Sequence, residues 1–137
     1  MRVLVDTSVW SLALRRSKKR ESDIVRELRS LIVEHRVDII GPIRQELLSG
    51  VREKAQFRRL AQHLAAFPDL PLVADDYVRA AGFFNTCRAA GVQGSNTDFL
   101  ICAVAVRRQL AVYTTDKDFV FFAKHLPVVL HEVRGFK

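Results

Sequence analysis

The sequence predicts an α/β domain built on a mainly parallel sheet, and three observations lead there. Short apolar segments alternate along the chain with segments of helical periodicity. Most of these apolar segments are continuous rather than alternating, as strands are when both faces are covered. Helix-starting or helix-stopping residues bound them.

Taken in order, Arg2 to Val5 is a β-branched apolar run and reads as a strand. Asp6, Thr7 and Ser8 are helix-start residues, and a helix continues through Val9 to Leu14. Arg15 to Arg20 is a charged break. From Ser22 onward, Ile24, Val25, Leu28, Leu31 and Ile32 recur at helical spacing. Val37 to Ile40 is a second strand, closed by Gly41-Pro42. A short helix covers Ile43 to Ser49, with Gly50 as its cap. Phe57, Leu60, Ala61 and Leu64 mark a further amphipathic helix, and Phe67 to Pro71 is a connection. Asp75 and Asp76 start a helix that runs to about Ala90, followed by a turn over Gly91 to Gly94. Ser95, Asn96 and Thr97 offer caps for a helix through about Gln109. Leu110 to Tyr113 is a strand, Asp116 to Lys124 a short helix, and Val128 to Leu130 a last strand.

A length of 137 residues fits one domain, taken as 1–137, large enough for a core without disulfide or metal staples. Cys87 and Cys102 form no CxxC pair and sit in apolar helical stretches, which reads as two buried thiols in a reducing cytoplasm. Apolar Val3 to Val5 is too short for a signal peptide, and no apolar run is long enough to span a membrane. The net charge is +7, from 22 basic and 15 acidic residues, and favours a polyanionic partner. His35, His63, His125 and His131 lack zinc-like spacing and read as surface or boundary residues.

Ligands of open α/β sheets bind beyond the carboxyl ends of the strands. Asp6 ends the first strand, and Asp116 lies just past the strand Leu110 to Tyr113, so both are expected on one rim. Asp98 lies in the first turn of a helix whose next eight residues are apolar, which makes that helix central and aims Asp98 at the same rim. Glu46 follows the second strand. Each of these acids alone could be a helix-terminus or surface charge. Together they repel one another and need protons, basic partners or a cation. Hard carboxylate oxygens suit Mg²⁺ or Mn²⁺, and such an ion in a basic protein points to phosphodiester chemistry by a metal-activated water.

The motifs around these acids resemble those of a known family. Val5-Asp6-Thr7-Ser8-Val9-Trp10, Glu46-Leu47-Leu48-Ser49-Gly50, Thr97-Asp98-Phe99-Leu100-Ile101-Cys102-Ala103 and Thr114-Thr115-Asp116-Lys117-Asp118-Phe119 resemble, in order, the four motifs of PIN-domain nucleases. Order, spacing and length are similar to those of VapC-type toxins of bacterial toxin–antitoxin pairs. The resemblance implies a three-layer α/β/α fold and an Mg²⁺- or Mn²⁺-dependent endoribonuclease leaving 5′-phosphate and 3′-hydroxyl ends. It implies that Asp6 and Asp98 are the principal metal ligands, with Asp116 and Glu46 completing the catalytic cluster directly or through water. Asp118 is a more peripheral acid or a structural one, and Thr7 and Thr114 are placed to orient ligands. An antitoxin partner and a homodimer are implied as well.

Arg15, Arg16, Lys18, Lys19 and Arg20 lie beside the helix that starts at Asp6, either as a solvated loop or along RNA phosphates. Trp10 either stacks on a base or belongs to a core or interface. Phe83, Phe84, Phe119, Phe121 and Phe122 read as core or interface residues. Two rivals remain. A haloacid-dehalogenase-like phosphatase would need a second Asp where Ser8 stands. A nucleic-acid-binding α/β module without cleavage would explain the charge but not the acidic rim.

Overall fold

The computed structural model describes residues 1–15 and 22–135. The first strand, β1 (Val3–Val5), is buried along its whole length and leads into α1 (Thr7–Leu14). Next comes α2 (Asp23–Val33), capped by Ser22, whose hydroxyl accepts the Val25 N–H at 3.3 Å. Strand β2 (Val37–Asp38) is shorter than the strand expected over Val37 to Ile40. The chain changes partners there: Ile39 leaves β1 and bridges Asp69, with Leu70 donating its N–H to the Ile39 carbonyl at 2.9 Å. Gly41-Pro42 does close the strand, but it also opens α3 (Gly41–Leu48), where a proline forfeits no helical hydrogen bond. Gly50, just past that helix, has φ +87°, a left-handed geometry that favours glycine.

The remaining elements are α4 (Lys54–Leu64), α5 (Ala74–Ala89), α6 (Asn96–Arg108), β3 (Ala111–Tyr113), α7 (Asp118–His125) and β4 (Val129–Leu130). The sheet runs β2-β1-β3-β4, and all three pairings are parallel. Helices flank it in an α/β/α arrangement. α1 packs on α2 and α3, and α3 on α4; α5 packs on α6 and α7, with α6 against β3 and α7 against β4.

Residues 99–105 of α6 are all buried, as a helix that is apolar on every side must be. The core joins this helix to all three β1 residues, to Val112 and Tyr113 of β3, and to Phe119 and Phe122 of α7. Among the described residues, no helix is long and apolar enough to cross a membrane.

Candidate active site

Sheet register brings the first two site residues together. β1 and β3 pair with Val5 opposite Tyr113, so the next residues, Asp6 and Thr114, emerge side by side at the strand ends. The Asp6 N–H donates to the Tyr113 carbonyl at 2.9 Å and extends the pairing by one step. Asp6 stands at the N-cap of α1, yet its side chain caps nothing. Instead Oδ2 accepts the hydroxyls of both Ser8 and Thr114, each at 2.8 Å.

The two hydroxyls are fixed in turn. Ser8 Oγ accepts the Thr115 N–H at 3.0 Å, and Thr114 Oγ1 accepts the Asp116 N–H at 3.0 Å. Each hydroxyl has one proton, and both protons go to Asp6. The 3.2 Å approach of Ser8 to Thr114 is therefore a contact between two acceptors. The result is a carboxylate, 6% exposed, with one oxygen clamped and the other free of protein donors among the described residues.

Asp98 and Asp116 are half-buried beside it. Asp98 Oδ2 accepts the Ser95 N–H at 3.0 Å while Ser95 Oγ accepts the Asp98 N–H at 3.1 Å, a reciprocal capping box. The sequence suggests that Ser95, Asn96 and Thr97 leave Asp98 without a capping duty. Asp98 in fact shares that duty and still keeps its second oxygen. Burial raises the Asp98 carboxyl above the usual carboxylate range; the Ser95 bonds oppose this, and the charges of Asp6 and Asp116 add to it. Its titration thus registers the other two acids as neighbours. Asp116 Oδ1 accepts the Asp118 N–H at 2.9 Å at the start of α7. Beneath them, burial and then the Asp98 charge push the buried Cys102 thiol far up, so it stays protonated.

The other expected site residues fall elsewhere. Glu46 is exposed on α3, with no hydrogen bond or ion pair to the three aspartates among the described residues. Asp118 is exposed in the first turn of α7 and meets the site, among the described residues, through its backbone N–H to Asp116. The hydroxyl that meets Asp6 beside Thr114 is that of Ser8, one residue beyond Thr7, whose own buried Oγ1 has no hydrogen-bond partner among the described residues. Arg15 is exposed just after α1, whereas Arg16, Lys18, Lys19 and Arg20 lie outside the described residues. Trp10 is 4% exposed and packs edge-on against Phe67 with ring centroids 5.2 Å apart, so it is a core residue unable to stack on a base.

Three carboxylates, each with an oxygen to spare and no basic partner among the described residues, form a donor set that suits a hard divalent cation. Among the described residues, no three acidic, histidine or cysteine side chains converge tightly enough to hold an ion by themselves. Mg²⁺ makes no such demand, since it commonly takes one or two carboxylates and keeps several waters.

A family model for the PIN domain matches residues 3–124. No curated protein sequence matches the chain. Solved structures similar to it include FitAcB from Neisseria gonorrhoeae, at 24% identity and a TM-score of 0.75, covering 95% of this chain and 96% of that one. VapBC2 from Rickettsia felis, bound to a DNA fragment from its promoter, is 18% identical with a TM-score of 0.75 over 96% of this chain and 98% of that one. VapBC-1 from nontypeable Haemophilus influenzae is 16% identical with a TM-score of 0.74, over the same shares of each chain.

Proposed function

The chain belongs to the PIN-domain family, and from that premise we propose that it is a VapC-type toxin, an Mg²⁺- or Mn²⁺-dependent endoribonuclease whose site is the acidic rim. The observation that carries this reading is the set of carboxylates of Asp6, Asp98 and Asp116, which have no basic partner among the described residues and neighbour one another near the strand ends. A chain of net charge +7 whose rim acids have no counter-charge among the described residues is suited to a cation and a polyanion together.

Asp6, Asp98 and Asp116 would hold the ion, and Glu46 would reach it through water from α3. A divalent cation bound there supplies positive charge at the scissile phosphate and makes a water more acidic. Ser8 and Thr114 keep the free Asp6 oxygen in one orientation, which limits the reorganisation needed on binding. Asp98 is held by Ser95 at the head of the most buried helix and is rigid for the same reason. Asp116 or Glu46 orients the attacking water, and the 3′ oxygen leaves, giving 5′-phosphate and 3′-hydroxyl ends.

The antitoxin partner follows from the motif resemblance to VapC-type toxins and the likeness to VapBC structures. A homodimer is supported by exposed apolar side chains on two helices that pack together, Tyr77 and Val78 on α5 and Val120 and Phe121 on α7. Cytoplasmic residence goes with an RNA target and two free thiols.

The test is incubation of the purified, antitoxin-free protein with total cellular RNA in Mg²⁺, Mn²⁺ or EDTA, beside an Asp6→Asn/Asp98→Asn control. Discrete fragments that require metal and vanish in the control support the nuclease. RNA bound but uncut under every condition assigns the chain to the non-cleaving binding modules instead.

A further inference from the structure

The turn before Asp98 walls a cavity of about 190 Å³, lined by Phe84, Arg88, Val92, Gln93, Gly94 and Phe99. Nothing in the metal chemistry uses it. We propose that this cavity is a nucleotide subsite, holding one nucleotide next to the scissile bond, with Arg88 on its phosphate and Gln93 on the edge of its base. The inference rests on the nuclease reading and deepens it, from a site that cuts RNA to one that selects where.

Position comes first. Gly94 precedes Ser95, whose N–H holds Asp98 Oδ2, and Phe99 follows Asp98 directly. One turn therefore both shapes the cavity and holds a proposed metal ligand. The cavity lining thus flanks the Ser95–Asp98 cap on both sides in the chain.

The cavity is also preformed. A Cβ on Gly94 would lie 2.5 Å from Phe122 Cζ and 3.0 Å from Phe99 Cε2, so the turn's backbone rests directly on two rings. The Val92 N–H to the Cys87 carbonyl at 2.8 Å, and the Gly91 N–H to the Arg88 carbonyl at 3.0 Å, tie the turn to the end of α5. Phe84 and Phe99 meet edge-to-face at 5.6 Å and form an apolar floor. A wall that does not move on binding loses little entropy there and gains selectivity.

The chemistry is opposite to that of the rim. The lining has a guanidinium, an amide and aromatic rings, and no carboxylate. Arg88 and Gln93 are exposed, and neither has a side-chain hydrogen bond or ion pair among the described residues. An RNA strand approaching three aspartates needs positive charge along its path, and Arg88 supplies one in the cavity wall. Gln93 offers two donors and an acceptor, the complement that reads an unpaired base edge.

The experiment compares wild type, Arg88→Ala, Arg88→Lys and Gln93→Ala as full chains. It uses total RNA with sequencing of the cut ends, then a short single-stranded oligonucleotide that wild type cuts. Both positions are exposed, so wild-type melting temperatures are expected throughout. Arg88→Ala should raise KM more than it lowers kcat and reduce the log–log salt slope by about 0.7, one single-strand phosphate contact, with Arg88→Lys restoring that slope. Gln93→Ala should relax the base preference at one position beside the cut by about fivefold or more. Unchanged KM, salt slope and cut-site preference in folded variants overturn the proposal while leaving the nuclease standing. So does a change in sedimenting mass in place of KM, which would make the cavity a contact between copies. Failure of wild type to cut any RNA overturns the nuclease reading first, and the subsite with it.

Discussion

Glu27 and Asp98 are both carboxylates drawn out of water, and their surroundings are opposite. Glu27 on α2 is 0% exposed. It receives His131 Nε2 at 2.9 Å, the Arg134 backbone N–H at 3.0 Å and Arg134 Nη2 at 2.9 Å. Burial alone would raise its carboxyl; the bonds from Arg134 and His131 outweigh that and hold it at about 2. Buried Asp76 is treated alike, bound by Arg107 at 2.6 and 2.9 Å and by the Val73 N–H at 2.9 Å, and Asp38 pairs with Arg2 at 2.6 Å. At the rim, Asp6, Asp98 and Asp116 receive, among the described residues, only hydroxyls and backbone N–H groups, and Asp98 is driven upward. Each of Glu27, Asp76 and Asp38 has an arginine, and among the described residues the three rim acids have none. The first group holds elements together; the second stores repulsion that the proposed cation would relieve.

Neutralising one acid from each group separates them most sharply. Asp98→Asn keeps an acceptor for the Ser95 N–H, so the variant should fold and lose metal-dependent RNA cleavage to the detection limit. Its melting temperature at pH 7 should rise, because a carboxyl whose proton affinity is raised by folding destabilises the fold once it is ionised. Glu27→Gln should do the reverse. It leaves Arg134 and His131 without their anion, at a loss of about 3 kcal/mol, read as a melting temperature lower by about 10 °C. Its RNA cut sites should be unchanged. A stabilised Glu27→Gln or a strongly destabilised Asp98→Asn would erase the distinction.

Ser8→Ala sits between the two groups. It removes one hydroxyl from Asp6 and the acceptor of the Thr115 N–H. Cleavage should fall about 10–100-fold, as when an outer partner of a metal ligand is lost, against about 1 kcal/mol of stability. Equal cleavage by Ser8→Ala would show that the orientation of Asp6 does not matter.

The smallest effect is in acid. Glu27 ordinarily titrates at 4.5 and in the fold at about 2. Its contribution is complete above pH 4.5 and is lost as pH falls toward 2. Melting temperature plotted against pH should therefore drop more steeply across that window in wild type than in Glu27→Gln.

Much of this was readable from the chain. Continuous apolar runs and their flanking caps locate the strands, and the strand-end rule places Asp6 and Asp116 on one rim before any coordinates. Ser8 was not readable as sharing Asp6 with Thr114, because their meeting depends on the β1–β3 register across 106 residues. Glu27 was equally hidden. It lies on an amphipathic helix as one more charge, and its partners are 104 and 107 residues away. Asp98 misled in detail, because Ser-x-x-Asp at a helix start is itself a capping pattern and the residue serves both ends at once. Local pattern thus reveals elements and their ends, while pairing across distant segments decides which polar groups are satisfied.

Titration of Mn²⁺ into the purified, RNA-free protein by calorimetry, with Asp98→Asn in parallel, tests the central claim directly. The rim carboxylates should take up the ion in wild type, with binding lost or severely weakened in the folded variant. Wild-type protein that binds no Mn²⁺, or an Asp98→Asn variant that binds it equally well, would contradict the assignment of these unpaired aspartates to a metal.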